Sequence, residues 1–105
     1  MSIDRIEALR ALLVQDPKNS FVRYGLAQAY AGDGRLEDAV LVYRELLERD
    51  PSYVAAYFHL GQTLEKLSRL DEAREVYLRG LDACTQKGDF HTRSEIQAAL
   101  DLLPA

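Results

Sequence analysis

The sequence predicts an all-α fold of antiparallel helix-turn-helix repeats, stacked as a short right-handed superhelix (an α-solenoid) of about six helices. The first observation is a period, because Asp16-Pro17 and Asp50-Pro51 stand 34 residues apart. The second is that apolar residues recur at helical spacing, and no segment alternates as a strand would. At the same 34-residue offset the chain matches at Leu26/Leu60, Gln28/Gln62, Arg35/Arg69, Leu36/Leu70, Ala39/Ala73, Val42/Val76, Tyr43/Tyr77 and Leu47/Leu81.

The first helix is predicted over residues 3–15, with Ser2 available as its N-cap. Asp16-Pro17 ends it, because proline lacks a backbone donor and disfavours helical geometry in the residue before it. The second helix is predicted to start near Ser20 and to end at Gly32-Asp33-Gly34, where a left-handed glycine can close it. The apolar stripe of the first helix is Ile3, Ile6, Leu9, Leu12 and Leu13.

The third helix lies before Asp50-Pro51, and the fourth lies after it. On the third, Glu45 and Arg49 are spaced for an exposed ion pair of about a few tenths of a kcal/mol. The apolar stripe of the third helix is Leu36, Ala39, Val40, Tyr43, Leu46 and Leu47. That of the fourth is Tyr57, Leu60, Gly61 and Leu64.

The fifth helix follows a turn at Ser68, which stands where the first turn has Gly34. A non-glycine residue is disfavoured in left-handed geometry, so this turn is expected to differ somewhat or to be slightly strained. The fifth helix is expected to run to about Gln86 and to be closed by Lys87-Gly88-Asp89. Its stripe is Leu70, Ala73, Tyr77 and Leu81, and that of a sixth helix, over 91–103, is Ile96, Ala99, Leu100 and Leu103.

Composition narrows the class of protein. A chain of 105 residues with 48% hydrophobic and 29% charged residues fits one domain, with no apolar run of membrane-spanning length. One cysteine, Cys84, and two separated histidines form no disulfide and no metal-ligand spacing, so no cofactor is expected. The net charge of -4 argues against nucleic acid as a partner. The start lacks the basic region of a signal peptide, so a cytoplasmic location is expected.

With these residues in view, the chain resembles the tetratricopeptide repeat family, whose units are 34-residue helical hairpins. The resemblance rests on Leu26, Ala27, Tyr30, Gly34, Ala39, Tyr43 and Pro51, and on Tyr57, Leu60, Gly61, Ala73 and Tyr77. It implies an N-terminal partial repeat over 1–19, full repeats over 20–53 and 54–87, and a capping helix within 88–105. Arg23 departs where a large residue is usual, and Thr85 departs where proline is usual.

The resemblance also implies a concave groove lined by the first helix of each repeat. Positions one beyond each core residue lie beside the packed stripe, since one helical residue rotates by about 100°. We expect the two aromatic residues to anchor a bound peptide or helix and the two glutamines to form hydrogen bonds with its backbone. Alternatively, these side chains pack within the repeats. The groove residues are Tyr24 and Gln28, then Phe58, Gln62 and Glu65, and Gln97 and Asp101 on the cap.

The sequence favours a protein-protein interaction module, an adaptor or scaffold that binds a peptide or helix of a partner. The alternative is structural self-association, with a homo-oligomer as the functional unit. An RNA-binding repeat protein would need a basic groove, which the acidic composition disfavours. An enzyme would need catalytic groups that converge, and no Cys, Ser or second His stands at helical spacing from His59. Within the family, the clamp for chaperone C-termini uses lysine, arginine and asparagine. At those places this chain has Tyr24, Gln28 and Gln62, so we do not expect it to recognise acidic chaperone C-termini.

Overall fold

Six α-helices form the computed structural model, which describes residues 2–104 and, for side chains, residues 4–104. They are α1 (Ser2–Gln15), α2 (Ser20–Gly32), α3 (Leu36–Arg49), α4 (Val54–Lys66), α5 (Leu70–Lys87) and α6 (Phe90–Leu102). No strand occurs within residues 2–104, so the all-α prediction is confirmed. The predicted roles of the Ser2 and Ile3 side chains lie outside the described residues.

Each helix packs on the next one along the chain, and α6 also packs on α4. Helices α2 and α3 form one hairpin, and α4 and α5 form the next. The stack measures 39 × 29 × 19 Å, with a core that runs along it from Ile6 on α1 to Ile96 on α6. The buried faces follow the predicted apolar stripes, which is why the fold is an α-solenoid. The prediction is wrong for Leu12, which is 49% exposed because it lies on the side of α1 that faces away from α2 and the core.

Polar side chains and a glycine fix the helix ends. Asn19 caps α2 by accepting a 3.0 Å hydrogen bond from the Val22 backbone N–H, and Asp89 caps α6 in the same way from Thr92. Gly88 closes α5 in a left-handed conformation, with φ of 78°. These caps place the breaks between helices at the predicted positions.

The turns inside the two hairpins have the same geometry, although one has glycine and the other serine. Gly34 has φ of 79° and Ser68 has φ of 59°. The residue after each turn donates a 2.9 Å backbone hydrogen bond back into the preceding helix, from Arg35 to Tyr30 and from Arg69 to Leu64. Ser68 therefore holds a left-handed conformation that costs an L-residue roughly 1 kcal/mol.

Ser68→Gly is expected to raise the free energy of unfolding by about 0.5 kcal/mol. The substitution relieves the left-handed strain, and the greater freedom of glycine in the unfolded chain offsets part of that gain. Urea denaturation of both proteins measures the difference. Gly34→Ser is the reciprocal variant, and a gain in stability from it would contradict this explanation.

The buried Arg23 has a structural equivalent in the second repeat. Its Nη1 donates a 2.8 Å hydrogen bond to the Pro17 carbonyl, and Tyr57, 34 residues on, donates one of 2.8 Å from its hydroxyl to the Pro51 carbonyl. Both side chains tie the start of a hairpin to the preceding turn. The predicted ion pair of Glu45 with Arg49 is wrong. The Glu45 carboxylate lies 3.3 Å from Nε of Arg23, which belongs to the neighbouring helix α2.

Candidate partner-binding groove

Tyr24 and Phe58 lie on α2 and α4, where they are partly buried against the core. The Tyr24 ring contacts Tyr53, with centroids 5.1 Å apart, and His59, with centroids 5.7 Å apart. The Phe58 ring meets His59 edge-on at 5.3 Å. Aromatic side chains thus connect α2 to α4, and both predicted anchors also take part in packing within the stack.

The two predicted glutamines bond tyrosine hydroxyls. Gln28 donates to the Tyr24 hydroxyl at 3.3 Å, and Gln62 donates to the Tyr77 hydroxyl at 3.2 Å. The Tyr77 hydroxyl in turn donates a 2.5 Å hydrogen bond to the Glu65 carboxylate. Gln62, Glu65 and Tyr77 therefore form one network, in which a core residue of α5 orients two groove residues of α4.

Burial raises the pKa of the Tyr77 phenol far above its usual value, and the adjacent Glu65 carboxylate raises that pKa further. The phenol therefore remains a hydrogen-bond donor to Glu65 at physiological pH. Each glutamine uses its amide nitrogen within the stack, and among the described residues its amide oxygen accepts no hydrogen bond. Those oxygens are the groups that a bound backbone N–H could reach.

Gln97 and Asp101 lie on α6, where the Gln97 amide donates a 2.9 Å hydrogen bond to the Asp101 carboxylate. Helix α6 packs on α4 and α5. No hydrogen bond within residues 4–104 joins this pair to the α2 and α4 residues. Tyr24 on α2 and Phe58 on α4 both contact His59, whereas the only hydrogen bond of the Gln97 and Asp101 side chains within those residues joins them to each other.

Phe21 is a candidate that the sequence analysis missed. It lies three residues before Tyr24 and seven before Gln28, so the three side chains share one face of α2. Its side chain is 76% exposed, which makes it an accessible aromatic group beside the predicted groove. Extending the helical spacing by one turn towards the N-terminus of α2 would have found it.

His59, between the two anchors, makes the stability of the stack depend on pH. Burial lowers the pKa of its imidazole, and the nearby Glu95 carboxylate partly opposes that shift. The folded protein therefore favours the neutral imidazole more than the unfolded chain does. The resulting contribution of His59 to the free energy of unfolding is fully present above the usual pKa of 6.5 and is lost as pH falls towards the lower pKa of the folded state.

His59→Gln is expected to reduce the fall in unfolding free energy between about pH 7.5 and pH 5.5, because glutamine does not titrate. Urea denaturation at several pH values measures the slope. The parent chain, measured over the same pH range, gives the reference slope. A slope in His59→Gln equal to that of the parent chain would contradict the assignment.

Other features of the chain lie away from the groove. Cys84 is buried, and burial raises the pKa of its thiol, which keeps it in the weakly nucleophilic protonated form. Within the described residues, no three His, Cys, Asp or Glu side chains cluster to hold a metal ion. None of the helices described is long and apolar enough to cross a membrane.

Stacked helical hairpins with a repeated core and a repeated turn define this protein as a helical-repeat protein. The sequence profile of the tetratricopeptide repeat matches residues 6–53 and 24–87. The chain belongs to the tetratricopeptide repeat family. It is 30% identical over 95 residues to the TPR repeat-containing protein PA0015 of Pseudomonas aeruginosa, a match that covers 90% of each chain.

Solved structures share the fold. A tetratricopeptide repeat domain protein from Salinibacter ruber is 36% identical with a TM-score of 0.74, and the match covers 78% of this chain and 91% of that one. The type III secretion translocator chaperone SycD of Yersinia enterocolitica superposes with a TM-score of 0.89. It is 20% identical, and the match covers 97% of this chain and 77% of SycD. At that identity the likeness concerns the fold alone.

Proposed function

We propose that this chain is a protein-interaction module that holds a peptide or helix of a partner protein against the groove face of α2 and α4. The observation that carries the proposal is the continuous set of aromatic and amide side chains from Tyr24 through Phe58 to Gln62, all of them partly exposed. Aromatic groups of this kind dominate the binding energy of many interfaces. Membership of a family of interaction modules supports the same function.

The chemistry of the groove favours neutral or basic segments. Phe21 and Phe58 offer apolar contact, and the free oxygens of Gln28 and Gln62 can accept hydrogen bonds from a peptide backbone. The Glu65 carboxylate, held by Tyr77, adds a negative charge at one end of this set. A partner with an exposed apolar side chain next to a lysine or arginine would satisfy these groups.

The test uses a partner captured from a lysate of the native cell by the parent chain and then purified. In calorimetry, Phe58→Ala and Gln62→Ala are each expected to weaken binding about tenfold, the loss typical of a side chain central to an interface. Leu41→Ala is the matched control, because Leu41 is an exposed apolar residue of α3 outside the groove.

Both groove variants should retain helicity, which circular dichroism checks. Phe58→Ala is preferable to Tyr24→Ala, because the Tyr24 ring also packs against two tyrosines, Tyr43 and Tyr53. Equal affinities for the parent chain, Phe58→Ala and Gln62→Ala would remove these residues from the binding site. A loss in Leu41→Ala alone would move the site to another face of the stack.

Self-association is the second candidate function, and exposed apolar side chains near both ends of the stack favour it. Val14 on α1 is 82% exposed, and Leu102 at the end of α6 is 85% exposed. Either end could pair with a second copy, as stacks with unpaired ends tend to do. A mass in sedimentation equilibrium that rises with concentration to a defined oligomer would support this function, and a constant monomer mass would exclude it.

A further inference from the structure

A cavity of about 590 Å³ lies between the C-terminal half of α5 and the turn that joins α3 to α4. Its floor is apolar and is made by Pro51 and Ala83, with the buried Tyr57 ring, 3% exposed, beneath them. Its rim carries Arg79, Asp82 and Lys87. None of the seven groove residues lines it, so it is a separate feature of the surface.

The cavity arises from differences between the two repeats. Ala83 stands 34 residues after Arg49, so a short side chain replaces a long one. Helix α3 ends at Arg49, whereas α5 continues to Lys87 past Thr85, which takes the place of Pro51 in the first repeat. The extra turn of α5 forms the outer wall. The Lys87 ammonium closes that wall with a 3.0 Å hydrogen bond to the Ser52 carbonyl.

The rim is basic in an acidic protein. Arg79 stands 34 residues after Glu45, so the charge at this position is reversed relative to the first repeat. Its guanidinium lies 6.0 Å from the centre of the Tyr57 ring, above the floor, and within the described residues it forms no salt bridge. Arg79 and Lys87 outnumber Asp82, which leaves a net positive charge around an apolar floor.

We propose that this cavity binds an acidic segment of a protein partner, which inserts an aromatic side chain against Pro51 and Ala83 and places a flanking carboxylate on Arg79. The size lies within the range of ligand pockets, about 300–1,000 Å³. The charged rim is exposed, so the cavity covers one side of its occupant, as suits a side chain that projects from another protein surface. Arginine is the residue best suited to grip a carboxylate with two parallel hydrogen bonds.

The test is an NMR titration of the isotope-labelled chain with the peptide acetyl-Asp-Phe-Glu-amide. A peptide of this size is expected to bind with roughly millimolar affinity. Saturable shifts are expected at Tyr57, Ala83 and Lys87, and the neutral peptide acetyl-Asn-Phe-Gln-amide should bind about tenfold more weakly. Absence of saturable shifts, equal affinity for the two peptides, or shifts confined to α2 residues would each overturn the proposal.

Three variants separate insertion into the cavity from simple charge attraction. Arg79→Gln should weaken binding of the acidic peptide about tenfold, the same loss as for the neutral peptide, because the charge on the rim is removed. Ala83→Leu should abolish the saturable shifts, because the larger side chain fills the floor. Arg10→Gln makes the same charge change on an exposed face of α1 and should have no effect. Binding that survives in Ala83→Leu would show surface attraction only and would contradict the proposal.

Two further measurements sharpen the outcome. Asp82→Asn should tighten binding of the acidic peptide by several-fold, because the like charge on the rim is removed. The free acid 3-phenylpropionate carries the same aromatic and carboxylate groups without a peptide backbone. If it binds at the cavity while the peptide does not, a protein segment is the wrong class of ligand and the proposal fails.

Discussion

Gly61→Ala is expected to lower the free energy of unfolding by about 3 kcal/mol, near the upper end of the usual cost of overpacking a core. A Cβ atom at this position would lie 2.5 Å from Cζ of the Tyr77 ring and closer still to Cε1. The Tyr77 side chain is fully buried, and a shift of its ring would disturb the hydrogen bonds that its hydroxyl makes with Gln62 and Glu65. The clash outweighs the roughly 1 kcal/mol by which alanine favours a helix over glycine.

The matched control for Gly61→Ala is Gly32→Ala. Gly32 is also helical, but a Cβ there would have no neighbour within 4 Å, so this variant should keep or slightly raise the stability. In a Tyr77→Leu background the cost of Gly61→Ala should fall sharply, because the ring that would clash is gone. Similar costs for Gly61→Ala in both backgrounds, measured by urea denaturation, would contradict this mechanism.

Arg23→Ala is expected to lower the free energy of unfolding by about 2 kcal/mol, as for other losses of a buried hydrogen-bonding side chain. The Arg23 side chain is only 6% exposed, whereas that of its partner Glu45 is 51% exposed. Water can therefore re-solvate Glu45 after the change. Most of the cost comes from the Pro17 carbonyl, which loses its donor, and from the buried arginine stem.

The second repeat supplies a matched rescue for Arg23→Ala. Tyr57 occupies the equivalent place and donates to the equivalent carbonyl, so Arg23→Tyr should recover most of the lost stability. Glu45→Gln tests the charge of the pair alone and should cost little, because the Glu45 side chain is half exposed and the glutamine amide oxygen can still accept the Arg23 hydrogen bond. A cost for Glu45→Gln as large as that of Arg23→Ala would show that the charge pair, and not the carbonyl bond, is the main contribution.

The helices could be predicted because their signals are local. Asp16-Pro17, Asp50-Pro51 and the glycines at 34 and 88 break the chain, and the helical spacing between the breaks identifies each buried face. The 34-residue period then gives the order of stacking, which the packing of each helix on the next confirms. The division into repeats 20–53 and 54–87 follows the same period and stays a prediction.

The surface could be predicted only in part, because it depends on which side chains meet across helices. The rule of one position beyond each core residue identifies Tyr24 and Phe58 as partly exposed. It does not show that Gln62 reaches Tyr77 or that Glu45 reaches Arg23, since these pairs join residues of different helices. The sequence analysis did not predict the cavity beside Tyr57, because the cavity forms where the short side chain of Ala83 replaces the longer side chain of Arg49 in the first repeat.

The packing of each helix on its neighbour has a consequence for how the chain opens. Helix α1 packs on α2, whereas α4 is held by α3, α5 and α6. In such a linear array each interface can be lost in turn, so opening begins at an end and costs less than global unfolding. Amide hydrogens of α1 should exchange with solvent deuterium well before those of α4, so the N-terminal helix can detach and return while the second repeat stays folded.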